Sequence, residues 1–409
     1  MIAPKLRFSE FKDDWSNALL GELSDIKTGP FGSTLHQEDY VKVGTPIITV
    51  EHLGEVSLTT QNLPLVSNED KKRLNSYILK EGDLAFSRVG SVDRCAIITN
   101  NEEGWLFSGR ILRVRPNKSI IEPKFLMYVL KTEETKFRIR SVAVGQTMPS
   151  LNTEILKNFS VDISNNRQEQ TKIAEFLSSV DDKISQLSRQ LELLKQYKKG
   201  VMQKIFSQEI RFKNDNGEDF GEWEEVPLNQ IASKVTVKNR GNKVTEVLTN
   251  SATQGIIKQS DFFDREIVSE SNINGYYVVE VDDFVYNPRI SVHAPVGPIK
   301  RNKITQGIMS PLYTVFRFKE GNLDFLSYFF ETNFWYDYVK SVANSGARHD
   351  RMNITNSDFL EMPILLPSIQ EQQKIADFLT AIDKRIDHTT AQLTQTKQWK
   401  KGLLQQMFV

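Results

Sequence analysis

Residues 168–207 read QEQTKIAEFLSSVDDKISQLSRQLELLKQYKKGVMQKIFS, and residues 370–409 read QEQQKIADFLTAIDKRIDHTTAQLTQTKQWKKGLLQQMFV, an ungapped match 202 residues apart with about half of the paired positions identical. Each copy lacks proline and carries its only glycine late, at Gly200 and Gly402. Apolar residues recur in alternating steps of four and three. In the first copy they are Ile173, Leu177, Val180, Ile184, Leu187, Leu191 and Leu194, resuming at Val201 and Ile205. In the second they are Ile375, Leu379, Ile382, Ile386 and Leu393, resuming at Leu403 and Met407. This period predicts one long helix per copy, packed along a partner helix as in a coiled coil. Each is expected to be about 55–60 Å long. Thr389 and Thr396 interrupt the second seam, and Lys198 and Lys400 occupy equivalent seam positions, so the middle of the pair is expected to pack less tightly than its ends.

Outward from the helices the repeat weakens but persists. Leu6-Arg7-Phe8 with Phe11 and Trp15 is echoed by Ile210-Arg211-Phe212 with Phe220 and Trp223. The chain therefore divides into a first globular head (1–166), a first helix (167–207), a second head (208–368) and a second helix (369–409). Because the ends of a compact domain often lie close together, the second head should bring the end of helix one near the start of helix two. An antiparallel pair with a head at each end, related by an approximate two-fold axis, is the expected arrangement. Short β-rich runs such as Pro46–Val50, Arg110–Val114 and Tyr313–Phe318 punctuated by Gly, Pro, Asn and Asp, with helical segments at 123–140 and 323–342, make each head an α+β domain.

Composition excludes several classes. Hydrophobic residues at 39% and charged residues at 25% describe a soluble globular protein. Neither the Met1–Lys5 start nor any later apolar run suggests a signal peptide or a membrane span, so a cytoplasmic location is expected. The single cysteine, Cys95, cannot form an intramolecular disulfide, and the five histidines lack metal-ligand spacing. Catalysis finds little footing. The pair Gly-Lys is absent, so there is no Walker A phosphate cradle, and the loop Thr28-Gly29-Pro30-Phe31-Gly32-Ser33 reads as a turn. Tyr286-Asn287-Pro288-Arg289 has arginine where an adenine methyltransferase motif needs a second proline, and His36 and His52 sit in polar segments without a partnered nucleophile.

Net charge is zero, from 52 basic and 52 acidic residues, but its distribution is uneven. No acid lies between Glu103 and Glu122, where Arg110, Arg113, Arg115 and Lys118 occur. None lies between Asp283 and Glu320, where Arg289, Lys300, Arg301, Lys303, Arg317 and Lys319 occur. Such stretches are either solvated strand faces or surfaces that meet phosphates. Arginine can pair bidentately with guanine, and asparagine or glutamine with adenine. The candidate DNA-binding residues are Arg88, Arg94, Arg110, Gln146, Thr147 and Ser150 in head one, and Arg289, His293, Arg348, His349, Arg351 and Asn353 in head two. For each alone a salt bridge or a solvated surface role is the better reading; the pairing of the two sets is what favours binding.

Two heads, each followed by a helix that opens Gln-Glu-Gln-x-Lys-Ile-Ala-x-Phe-Leu and closes Lys-Lys-Gly-x-x-Gln-x-x-Phe, resemble the specificity subunits of Type I restriction-modification systems. Thr28–Leu35 and Glu81-Gly82-Asp83-Leu84 resemble that family's target-recognition domains; head two departs, with Asp282-Asp283-Phe284. The resemblance implies a non-catalytic subunit whose heads each read half of a bipartite duplex-DNA site in the major groove, with the helices setting the spacer. It further implies two modification (methyltransferase) subunits and restriction subunits as partners. Those would carry S-adenosylmethionine, ATP and Mg, with no cofactor in this chain and no membrane. The competing reading is a helical scaffold that joins two protein-binding domains.

Overall fold

In the computed structural model, residues 3–30, 34–54, 57–145, 147–261, 270–344 and 350–409 are described. The two repeated segments are continuous helices, Arg167–Phe206 and Ile369–Gln406, on the order of 60 Å long at 1.5 Å per residue. Their starts are fixed locally. The Asn166 side chain accepts from the backbone N–H of Gln168, the Ser368 hydroxyl accepts from that of Glu371, and a glutamate sits in each first turn, where the helix dipole favours negative charge.

The chain forms two compact units, Met1–Arg189 with Thr390–Val409, and Gln190–Thr389. In the first unit, strand Trp15–Leu19 pairs antiparallel with Ser160–Ser164 at the root of the head. Beyond it lie a four-stranded antiparallel sheet in the order Ser24–Thr28, Ile111–Pro116, Leu84–Ser87, Cys95–Ile97, and a second sheet of Tyr40–Val41, Leu65–Val66, Thr45–Ile48 and Leu106–Phe107. In the second unit, Glu224–Pro227 pairs with Pro363–Leu366, and the four-stranded sheet recurs as Ala232–Lys234, Thr314–Phe318, Phe284–Tyr286 and Ile299–Arg301. Among the described residues the four-strand order of the second sheet is not repeated: the pairs Leu248–Ser251 with Gly255–Lys258 and Tyr277–Val279 with Gly307–Met309 stand there, with a parallel bridge between Val247 and Ile308. The root and first sheet are thus repeated, and the outer strands differ.

The helical segments expected at 123–140 and 323–342 are each broken in two. Thr132 leaves the helical conformation and its hydroxyl accepts from the N–H of Thr135, ending Pro123–Lys131 and capping Glu133–Val142. Thr332, extended, likewise separates Leu323–Glu331 from Tyr336–Val342. A threonine that bonds its neighbouring backbone competes with helix continuation, which the apolar period alone does not register.

Each core recruits the start of one long helix and the end of the other. In the first unit, Ile173, Leu177, Val180 and Ile184 are buried with Trp15 and Phe125, and Leu403, Met407 and Phe408 enter the same cluster. Phe408 meets Trp15 and Phe125 at ring distances of 6.1 and 5.6 Å. In the second unit, Ile375, Leu379 and Ile382 share a core with Phe206, which meets Trp223 and Phe325 at 6.2 and 5.4 Å. Leu187 is also buried, whereas Leu191, Leu194, Ile386 and Leu393 are only half-buried. The apolar stripe therefore serves helix pairing and head docking together, and its central positions are the loosest.

Polar contacts repeat the same plan. Buried Glu169 takes the guanidinium of Arg7 at 2.6 and 2.9 Å and the indole N–H of Trp15 at 3.3 Å. Buried Glu371 takes Arg211 at 2.8 Å through both oxygens and Trp223 at 3.2 Å. The seam lysines bind carboxylates: Lys400 meets Asp181 at 2.5 Å in the first unit, and Lys198 meets Asp383 at 2.8 Å in the second. Tyr128 and Tyr328 donate to those same aspartates at 2.7 Å, and burial pushes both phenols well above their ordinary range.

Candidate nucleic-acid interface

Backbone hydrogen bonds bring part of each candidate set together: Arg88, Arg110 and Ser150 in head one, and Arg289, Arg351 and Asn353 in head two. In head one, Val144 and Ser150 exchange N–H···O bonds of 2.9 Å, closing the loop between them. Gly145 turns that loop with φ +107°, and a Cβ there would stand 2.8 Å from the carbonyl oxygen of Met148, so glycine is required. The loop is tied to the end of strand Leu84–Ser87: the Gly90 N–H donates to Pro149 and the Leu151 N–H to Arg88, at 2.9 and 2.8 Å. Head two repeats the tie. The Ile290 N–H donates to Asp350 at 3.0 Å and the Met352 N–H to Pro288 at 2.9 Å, with Arg289 bridged to Arg351 as Val89 is to Ser150.

The individual side chains divide into clamps and projections. The Arg88 guanidinium donates to the carbonyls of Gly109 at 3.0 Å and Leu151 at 3.3 Å, so it fastens the loop to the sheet. Ser150 turns its hydroxyl to the Val144 carbonyl at 3.2 Å. Arg94 donates to the Leu53 carbonyl. Arg110 and Thr147 are exposed beside the loop. In head two Arg289, His293 and Asn353 are exposed, His293 within the tight turn Ser291–Ala294. Arg351 is half-buried; its Nε lies 3.8 Å from Asp350 and is a buried polar atom without a hydrogen-bond partner among the described residues. Arg351 and Asn353 line a cavity of about 420 Å³ with Pro288 and Leu312. Gln146, Arg348 and His349, and the Phe31–Ser33 part of the glycine-rich loop, lie outside the described residues.

The two acid-free stretches are far less positive than their sequences suggest, because acids from elsewhere neutralise them. Arg113 pairs with Asp25, and its pKa is pushed down by burial and by neighbouring Arg115. Arg115 grips buried Asp83 at 2.6 Å, and Arg317 grips buried Asp283 at 2.6 Å. Hydrogen bonding to those carboxylates pushes both arginines up. Arg301 binds Asp282 and Asp324 at 2.6 and 2.9 Å. These arginines hold the sheet together. The same contacts show that Asp282-Asp283-Phe284 is the counterpart of Gly82-Asp83-Leu84: Gly82 and Asp282 both adopt positive φ, +86° and +74°, and each is followed by a buried aspartate paired to an arginine of the adjacent strand.

Sequence reasoning overlooked the apolar side chains on these loops. Val144 and Met148 are 62% and 65% exposed in head one, and Val292 and Leu312 are 95% and 58% exposed in head two. Apolar residues placed among Gly, Pro and Ser in a turn-rich segment are the signal that could have found them. Exposed apolar side chains of this kind can meet a thymine methyl group, as arginine can meet guanine or phosphate. Among the described residues no cluster of His, Cys, Asp or Glu is arranged to hold a metal ion, and no helix is long and apolar enough to cross a membrane.

Comparison with known proteins agrees with this duplication. Residues 12–196 and again 221–398 match the family model described as Type I restriction modification DNA specificity domain. The chain is 27% identical over 418 aligned residues to a Methanocaldococcus jannaschii protein named for the MjaX type I restriction enzyme specificity subunit, covering 98% of this chain and 94% of the relative. It is 24% identical over 216 residues to the MjaVIII specificity subunit of the same organism, covering 52% and 50%. At 14% identity the solved S subunit of a Type I restriction-modification system from M. genitalium superposes with a TM-score of 0.62 over 100% of this chain and 99% of its own, a likeness of fold.

Proposed function

The chain belongs to the family of Type I restriction-modification DNA specificity subunits, and on that premise we propose that each head reads one half of a bipartite duplex-DNA target while the long helices set the unread spacer and dock modification subunits. The observation that carries this reading is the recurrence, in both heads, of a loop pinned by backbone hydrogen bonds to a strand end, with an exposed arginine beside it: Arg110 in head one, Arg289 in head two. Backbone bonds of this kind hold the described ends of each loop in place, which lowers the conformational entropy that binding must remove there. Exposed Arg110, Arg289 and Asn353 are suited to base edges or phosphates, and Arg88 supports the surface from behind. The divergence of the outer strands between the heads supports different half-site sequences.

In this reading the chain selects the site and supplies no catalytic group. Adenine methylation with S-adenosylmethionine, and ATP- and Mg-dependent restriction, belong to the modification and restriction subunits that assemble on it. The test is to exchange residues 208–368 for the corresponding head of a relative, express the chimera with modification subunits, and sequence adenine methylation. One half of the methylated motif should change and the other remain. A change in both halves, or in neither, refutes modular reading. Sequence- and salt-independent behaviour on DNA would instead support a protein-binding scaffold.

A further inference from the structure

In the unit formed by residues 1–189 and 390–409, a cavity of about 480 Å³ opens where the last turns of the second long helix pass helix Pro123–Lys131. Among the described residues six cations line it: Arg94, Lys131, Lys136, Lys397, Lys400 and Lys401. Its carboxylates are Asp93 and Glu133, and both are engaged, Asp93 by Arg140 and Glu133 by Lys136 at 3.0 Å. Lys400 is held by Asp181 at 2.5 Å. Among the described residues, Arg94, Lys397 and Lys401 have no carboxylate within ion-pair distance. Arg94 is positioned by the Leu53 carbonyl, which leaves its charge intact. Lys131 sits deeper; its pKa is pushed down chiefly by burial, with Lys400 and Lys136 adding to the shift against Cys95 and Asp181.

The second unit builds the same cavity from equivalent residues, Lys195, Lys198 and Lys199 standing where Lys397, Lys400 and Lys401 do. There Glu331 takes the place of Lys131 and binds Lys198 at 3.1 Å, beside Asp383 at 2.8 Å. The fold thus explains the cavity in both units but not the concentration of cations in one. Arg94, Lys397 and Lys401 are exposed, and like charges gathered around one cavity repel one another, a repulsion that a bound anion relieves. We propose that the cavity of the first unit is a binding site for phosphate-bearing anions, either a polyphosphate chain or the backbone phosphates of a nucleic acid. The site draws on Arg94 from the candidate set but on no residue of the Val144–Ser150 loop, and its test does not depend on whether that loop reads bases.

The full-length protein is titrated calorimetrically with inorganic tripolyphosphate at about 0.15 M ionic strength, where diffuse surface attraction is largely screened. One molecule per chain should bind. Affinity should fall about tenfold or more in Lys131→Glu and in the double variant Lys397→Ala/Lys401→Ala, as expected when charge-assisted contacts are removed. Because Lys397 and Lys401 are exposed, the double variant tests the site even where Lys131→Glu does not fold. Absence of binding, or binding unchanged in the double variant, overturns the proposal. Displacement of bound tripolyphosphate by a random-sequence duplex would assign the site to nucleic-acid phosphates; failure of the duplex to displace it would assign the site to free polyphosphate.

Discussion

Replacing Glu371 by glutamine tests how each head is fastened to its helix. The carboxylate is fully buried and receives three hydrogen bonds, two from Arg211 and one from Trp223. Glutamine preserves the shape but carries no charge, and its amide NH2 must face an N–H of Arg211 or Trp223, donor against donor. Removing one partner of a buried ion pair costs about 3–5 kcal/mol. Arg211 keeps 23% of its side-chain surface exposed, so water can solvate the released guanidinium, which places the cost near the lower end, about 3 kcal/mol. For a unit of about 200 residues, each kcal/mol lowers the melting temperature by roughly 2–4 °C, so a fall of about 6–12 °C is expected. Calorimetry gives the temperature, and hydrogen exchange locates the damage. Amides of the strand pair Glu224–Pro227 and Pro363–Leu366 should lose roughly two orders of magnitude in protection, while those of Trp15–Leu19 and Ser160–Ser164 keep theirs. A melting temperature and exchange pattern matching the unaltered protein would refute the reasoning, because the charge of Glu371 would then contribute nothing beyond its volume.

Two further predictions concern the DNA. Inserting four residues after Leu187, where the helix has a rise of about 1.5 Å per residue, should lengthen the unread spacer or abolish methylation while the half-site sequences stay the same; an unchanged methylated motif removes the helices from spacer control. Arg289→Ala should cost about 1–3 kcal/mol of binding and relax one position of the second half-site if the arginine reads a base; if it touches phosphate, binding should weaken evenly and the salt slope should drop by about one. Unaltered affinity, motif and salt dependence would take Arg289 out of the interface.

The sequence alone determined the duplication and both long helices, because an apolar stripe repeating every three or four residues is a local signal that survives without knowledge of what it packs against. It also indicated which segments of each head belong together, since loop and strand end recur in the same order in both halves. Tertiary structure decided what the period could not. It sent the buried part of the stripe into the heads as well as between the helices, and it placed Phe408 in the core of head one, far from it in sequence. It also ended two expected helices at Thr132 and Thr332. The charge pattern was the least legible feature. Arg115 and Arg317 lie in stretches without acids, yet Asp83 and Asp283, more than thirty residues earlier, neutralise them across adjacent strands. Conversely, the cations near Lys131 and Lys401 look like ordinary helix lysines in the sequence and form one cavity only when distant segments meet. Periodicity reports how one element faces its surroundings; electrostatics depends on which elements share those surroundings, and only folding brings them together.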